Sequence, residues 1–122
     1  MTRMQPINLR RRFQLWSYSV SHRQLLLRSV KTNSIATRVD VLFKNVFSIN
    51  LPTVIEELRV AEADPHSARA ILQSSSHEED LPVRDTRVFL LTGNGWNGVI
   101  VAGYVGVAED TGDYDDPSSL VQ

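Results

Sequence analysis

Residues 37–51 read TRVDVLFKNVFSINL, and the way this stretch folds decides where every other strand can go. Val39, Val41 and Phe43 alternate with Arg38, Asp40 and Lys44, the period of two that marks a half-buried strand. Leu42 is the one apolar residue on the outer face. After Lys44-Asn45 the alternation resumes, with Phe47, Ile49 and Leu51 on one side and Ser48 and Asn50 on the other. Two strands so closely spaced read as a β-hairpin. A two-residue loop at Lys44-Asn45 sets Val41 against Ser48; a three-residue loop at 44–46 sets Phe43 against Phe47, Val41 against Ile49 and Val39 against Leu51. A one-residue slip exchanges the two faces of a strand, so the second register is the one expected. Pro52 has no N–H to give a ladder and ends the second strand.

Working outward, Phe13–Val20 reads as a strand with Trp16, Tyr18 and Val20 on one face and Phe13 and Leu15 on the other. A polar turn at 21–24 leads to a second strand, Leu25–Lys31, in a register that pairs Val20 with Leu25 and Tyr18 with Leu27. Residues 13–51 are therefore expected to be a four-stranded antiparallel meander. Residues 52–58 fit a helical turn or a loop, and 58–63 alternate weakly as a strand. Asp64-Pro65 is the best helix start in the chain, because Asp caps free first-turn amides and Pro is tolerated at the first helical position. Ala68, Ile71 and Leu72 follow as an apolar stripe, which predicts a short helix near 65–73. Residues 73–85 are a long polar connection. Strands follow at 87–92 and 99–107, the latter apolar on both faces and so expected to be central and covered on both sides.

The chain has 122 residues, 42% hydrophobic and 22% charged, ordinary values for one globular domain over 1–122. Residues 1–11 and 109–122 are expected to be loose arms. With no cysteine, disulfides, thiolate zinc sites and thiol catalysis are excluded. No apolar run approaches the ~20 residues of a membrane helix, and the basic N-terminus lacks the apolar core of a secretory signal; the expected compartment is the cytoplasm. The net charge of −1 hides an asymmetry: through residue 59 there are ten Lys/Arg and three Asp/Glu (+7), thereafter three and eleven (−8). Either the halves fold against each other and neutralise, or each meets a partner of opposite charge. Nucleic acid is not the expected partner, because the basic residues are spread over strands and Arg10-Arg11-Arg12 has neither interleaved aromatics nor a recognition helix beside it.

Three motifs fail their own chemistry. Gly93-Asn94-Gly95-Trp96-Asn97-Gly98 matches G-x-G-x-x-G, but a dinucleotide site needs a helix after the third glycine and Val99-Ile100-Val101 is strand. It reads instead as a Gly-rich hairpin, with Asn97-Gly98 supplying the positive φ angles. Asp110-Thr111-Gly112 matches an aspartic-protease triplet, but its acidic neighbours do not make the guarded site a proton-sharing pair requires. The acidic tail fails the calcium-loop spacing, since Gly112 and Tyr114 would occupy ligand positions. No metal or cofactor is expected. His77 beside Glu78, Glu79 and Asp80 is the one place for acid–base chemistry, and no nucleophile is fixed near it.

The fold expected is α+β and mainly β: an antiparallel sheet made of the meander, the short helix and a C-terminal hairpin, as a flattened barrel or, alternatively, a two-sheet sandwich. The function expected is that of a non-enzymatic protein-binding or regulatory protein, its partner another protein or a second copy. Trp96, with Asn94 and Asn97, is the partner-binding candidate, and a Trp there either anchors a partner or folds back over the sheet. The alternative is a small-molecule or anion-binding domain using Trp16, Tyr18, His22 and Arg28 on an open face or barrel mouth.

Overall fold

A computed structural model describes residues 4–75 and 86–120. Its elements are β1 (Ile7–Ser19), β2 (Gln24–Ser29), β3 (Arg38–Lys44), β4 (Ser48–Asn50), β5 (Val54–Glu62), α1 (Pro65–Ser75), β6 (Arg87–Gly93), β7 (Trp96–Ala102) and β8 (Tyr104–Asp110). The strands form one antiparallel sheet in the order β4-β7-β6-β5-β1-β2-β3-β8. The mainly-β expectation holds. The flattened barrel does not: β4 and β8 are the end strands and do not pair with each other. Nor is the sheet divided into the two of a sandwich.

Residues 37–51 are not a hairpin. β3 pairs with β2 and β8, while β4 pairs with β7. The stretch is one strand bent at 45–47, and both halves run beside the same partner segment. The ladder goes from Arg38↔Asp110 to Lys44↔Tyr104, then from Ser48↔Val101 to Asn50↔Val99, shifted by one residue at the corner. The Phe47 N–H donates to the Val101 carbonyl (2.7 Å) and the Gly103 N–H to the Lys44 carbonyl (2.9 Å), which carries the bonding across the bend. Asn45, at φ 54°, supplies the left-handed residue that breaks the alternation without reversing the chain. The meander therefore has three strands, and the fourth leaves for the other end of the sheet.

The sheet is rolled. Phe43 on β3 and Phe89 on β6 lie four places apart in the strand order, which is about 19 Å across a flat sheet. Their ring centroids are 5.6 Å apart, edge to face. The roll encloses one core, with Phe13, Leu25, Leu27, Val41, Phe43, Ile55, Val60, Phe89, Leu91 and Ile100 all fully buried. A second cluster lies on the opposite face of β6 and β7, where Val88 and Val101 are covered by Ala68, Ile71 and Leu72 of α1. The helix begins where Asp64-Pro65 predicts, with the Ser67 N–H on Asp64 Oδ1 at 2.8 Å. β7 is thus apolar on both faces because both are covered. The expected long strand breaks at Gly103, and β8 beyond it is an end strand with Tyr104 and Val107 exposed.

Smaller departures have local causes. The β1–β2 turn closes at 20–23 with Arg23 at φ 54°, so Tyr18 pairs with Leu25, two residues from the expected register, and Leu15 with Leu27, three residues from it. The β1–β2 register shifts between Leu15 and Ser17. Phe13 and Leu15 pack on the main core, while Trp16 meets Arg28 on the outer face. Most of residues 52–58 is strand, since β5 starts at Val54; its ladder with β1 shifts between Leu9 and Arg12, around Glu57 at φ 59°. Residues 7–11 belong to β1 rather than to a loose arm. Arg10 and Arg12 are exposed, whereas Arg11 bonds Ser29 Oγ (3.0 Å) and the Thr37 carbonyl (2.6 Å).

Candidate functional site: an arginine-held C-terminal segment

The face of β2 and β3 turned away from the core carries Leu26, Arg28, Arg38, Asp40 and Leu42. Five such residues would be expected to meet water, yet all are buried. Arg28 and Asp40 are direct cross-strand partners. The guanidinium and carboxylate meet in a two-point contact, Nε–Oδ1 at 2.7 Å and Nη2–Oδ2 at 3.0 Å. The remaining nitrogen, Nη1, donates to the Tyr114 carbonyl at 2.8 Å. Trp16 lies with its ring centroid 5.3 Å from the same guanidinium, a cation–π distance.

Arg38 repeats the arrangement one row away. It meets Asp110 through Nε and Nη2, both at 3.0 Å. Its Nη1 also donates to the carbonyls of Asp113 and Asp116 at 2.8 Å, and Nη2 to that of Pro117 at 3.2 Å. Lys31 adds the Thr111 carbonyl at 2.9 Å and Asp113 Oδ1 at 3.0 Å. A Cβ at Gly112 would sit 2.7 Å from the Arg38 guanidinium, so the chain can turn this close only with glycine there. The hydrogen bond to Asp110 holds Arg38 above its ordinary value. In return the Arg38 hydrogen bond, followed by that of the Gly112 N–H, holds Asp110 below the usual carboxylate range.

Residues 111–120 are therefore a bound strap and not a loose arm. Side chains from the basic half grip backbone carbonyls of the acidic half. Arg11–Glu109 (3.7 Å), Lys31–Asp113 and Arg38–Asp110 also pair the halves directly. The strap places Tyr114 outward, 62% exposed, its ring edge-on to Trp16 at 6.4 Å. Asp113, Asp115 and Asp116 around it are exposed. The Asp-Thr-Gly triplet thus serves in an ion pair.

Of the four residues expected to bind a ligand, the structure brings together Trp16 and Arg28. Tyr18 stays exposed on β1, and His22 lies in the turn with Nδ1 near Ser19 Oγ (3.2 Å) and Ser21 Oγ (3.1 Å). Arg28 is 2% exposed with its nitrogens engaged by protein atoms, so it offers an anion nothing. Trp96 takes the folded-back alternative: it is half-buried and packs on the main core. The β6–β7 turn is Asn94-Gly95, with Gly95 at φ 80°, not Asn97-Gly98, which lies within β7. Asn94 and Asn97 are exposed. His77, Glu78, Glu79 and Asp80 lie outside the described residues.

No family model, curated protein or solved structure matches this chain. Among the described residues, no helix is long and apolar enough to cross a membrane.

Proposed function

We propose that this is a non-enzymatic protein-binding domain whose partner presents a basic surface to the ledge formed by Tyr114 and its acidic neighbours. The observation that carries the reading is the contact series Asp40–Arg28–Trp16–Tyr114. It holds a large aromatic side chain in water on a buried ion pair. Pre-ordered Tyr and Trp side chains lose little entropy on binding and are common energetic centres of interfaces. Exposed carboxylates at 113, 115 and 116 add steering toward a positive partner. This replaces Trp96 as the anchor while keeping the kind of function expected from the sequence. The small-molecule or anion alternative at Trp16, Tyr18, His22 and Arg28 loses its cation to Asp40.

Quantitative affinity capture from the source cells tests the reading, with Tyr114→Ala and Asp115→Lys/Asp116→Lys as parallel baits. A basic chain retained by the native protein and lost by both variants supports it. Identical captures by all three baits reject it. Cell fractionation tests the cytoplasmic location that goes with this reading.

A further inference from the structure

A second feature shares no residue with the Tyr114 ledge. On the outer face of β1, β5 and β6 is a depression of about 320 Å³ lined by Asn8, Arg10, Glu57, Arg59, Thr92 and Gly93, with Leu9 and Leu58 in its wall. Two backbone irregularities shape it. The β1–β5 ladder slips between Leu9↔Leu58 and Arg12↔Glu56, with Glu57 at φ 59°. Gly93 then lets β6 come close to that slip: a Cβ there would collide with the Glu57 carbonyl and Trp96 Nε1.

The slip leaves polar side chains converging on one spot. Asn8, Arg59 and Thr92 are direct cross-strand partners in one row, and all three are exposed. Arg10 lies two residues from Asn8 on the same rim. No described side chain forms an ion pair with Arg10 or Arg59. They differ in this from Arg11, Arg12, Arg28 and Arg38, each of which has a carboxylate partner. Two uncommitted guanidiniums, an amide and a hydroxyl are the donor set for a phosphate group, which accepts forked hydrogen bonds. The volume is at the lower end for ligand pockets, which suits a metabolite-sized molecule. Glu57 on the rim would repel a bare anion but accept a hydrogen bond from a hydroxyl beside the phosphate. From this arrangement we infer that the depression binds a small, hydroxyl-bearing phosphate monoester, with Arg10 and Arg59 on the phosphate and Glu57 on the remainder.

The test is a titration of the full chain followed by amide NMR, with ribose 5-phosphate, ribose and inorganic phosphate as probes at matched ionic strength. Ribose 5-phosphate is expected to shift amides at 8–10, 57–59 and 92–93 saturably and to change Trp96 emission in a Trp16→Phe background. Arg10→Ala and Arg59→Ala are expected to fold as the native chain does, because both side chains are exposed and form no ion pair among the described residues, and each to weaken binding by at least about ten-fold. Glu57→Ala, which removes the acceptor together with the repulsion, is expected to lower the preference for the ester over inorganic phosphate. No saturable shift with ribose 5-phosphate overturns the inference, as do shifts that persist in Arg10→Ala/Arg59→Ala. Inorganic phosphate binding as tightly as the ester overturns it too, and so does binding of a single-stranded oligonucleotide without binding of the ester.

Discussion

Replacing Asp40 by Ala tests whether the strap rests on the buried ion pair. Arg28 is 2% exposed and Asp40 1%. The substitution removes both charge-assisted hydrogen bonds and leaves a guanidinium in the interior with the Tyr114 carbonyl as its remaining acceptor. Breaking a buried pair by deleting one member costs about 3–5 kcal/mol, because the surviving charge has no compensation. The retained carbonyl argues for the lower end, about 3 kcal/mol. That is a large share of the roughly 5–15 kcal/mol available to a domain, and lowers Tm by on the order of 10 °C. Urea denaturation followed by circular dichroism measures it. The midpoint should fall with the slope unchanged, since the fold and the surface it exposes stay the same. The double variant Arg28→Met/Asp40→Leu separates the charge from the packing: it should recover most of the loss, as apolar replacements of buried pairs generally do. A loss below about 1 kcal/mol for Asp40→Ala, the size of an ordinary solvent-exposed hydrogen bond, would refute the argument.

Arg38→Ala removes the anchor for the carbonyls of Asp113, Asp116 and Pro117. Hydrogen exchange should show protection at 112–118 falling while the β5–β6–β7 amides keep theirs. Asp110 has a depressed folded pKa. Its contribution is therefore fully present above the ordinary carboxylate value of about 4 and is lost as pH falls from there through the folded value. Asp110→Asn should flatten stability against pH in that acid window and change little of its slope above pH ~5. Gly93→Ala places a methyl against the Glu57 carbonyl and the Trp96 ring. It should cost about 1–3 kcal/mol, as overpacking does, and alter Trp96 fluorescence. Asp64→Ala removes the cap on the Ser67 N–H and should cost about 1 kcal/mol by thermal denaturation.

Much of the secondary structure is legible in the residues because it depends on neighbours along the chain. Period two marks the strands at 13–20 and 38–43, and apolar runs between polar turns mark those at 25–31 and 87–92. Asp64-Pro65 starts the helix because a cap needs only its own first turn. Alternation also separates the inward Val39, Val41 and Phe43 from the outward Arg38, Asp40 and Leu42. It does not say what covers the outward set. Leu42, the one apolar residue of β3 on that face, was the available signal that something does.

What the sequence could not supply is long-range partnership. In 37–51 an interruption at 44–46 followed by resumed alternation fits a reversal and a bend equally well, since both restore period two. Only the partner distinguishes them. A hairpin would have paired Val41 with Ile49; the fold pairs both halves with 99–110, and so rolls the sheet around one core. The same holds for the charge asymmetry. Composition puts +7 in one half and −8 in the other, but opposite charges can meet inside the fold or outside it. The sequence by itself determined most of the strands, the helix and the two faces of β3, which are local properties. The tertiary structure alone decided which strands meet, and that Arg28 and Arg38 hold the chain's own tail. Those contacts join residues more than seventy positions apart, where no local pattern carries information.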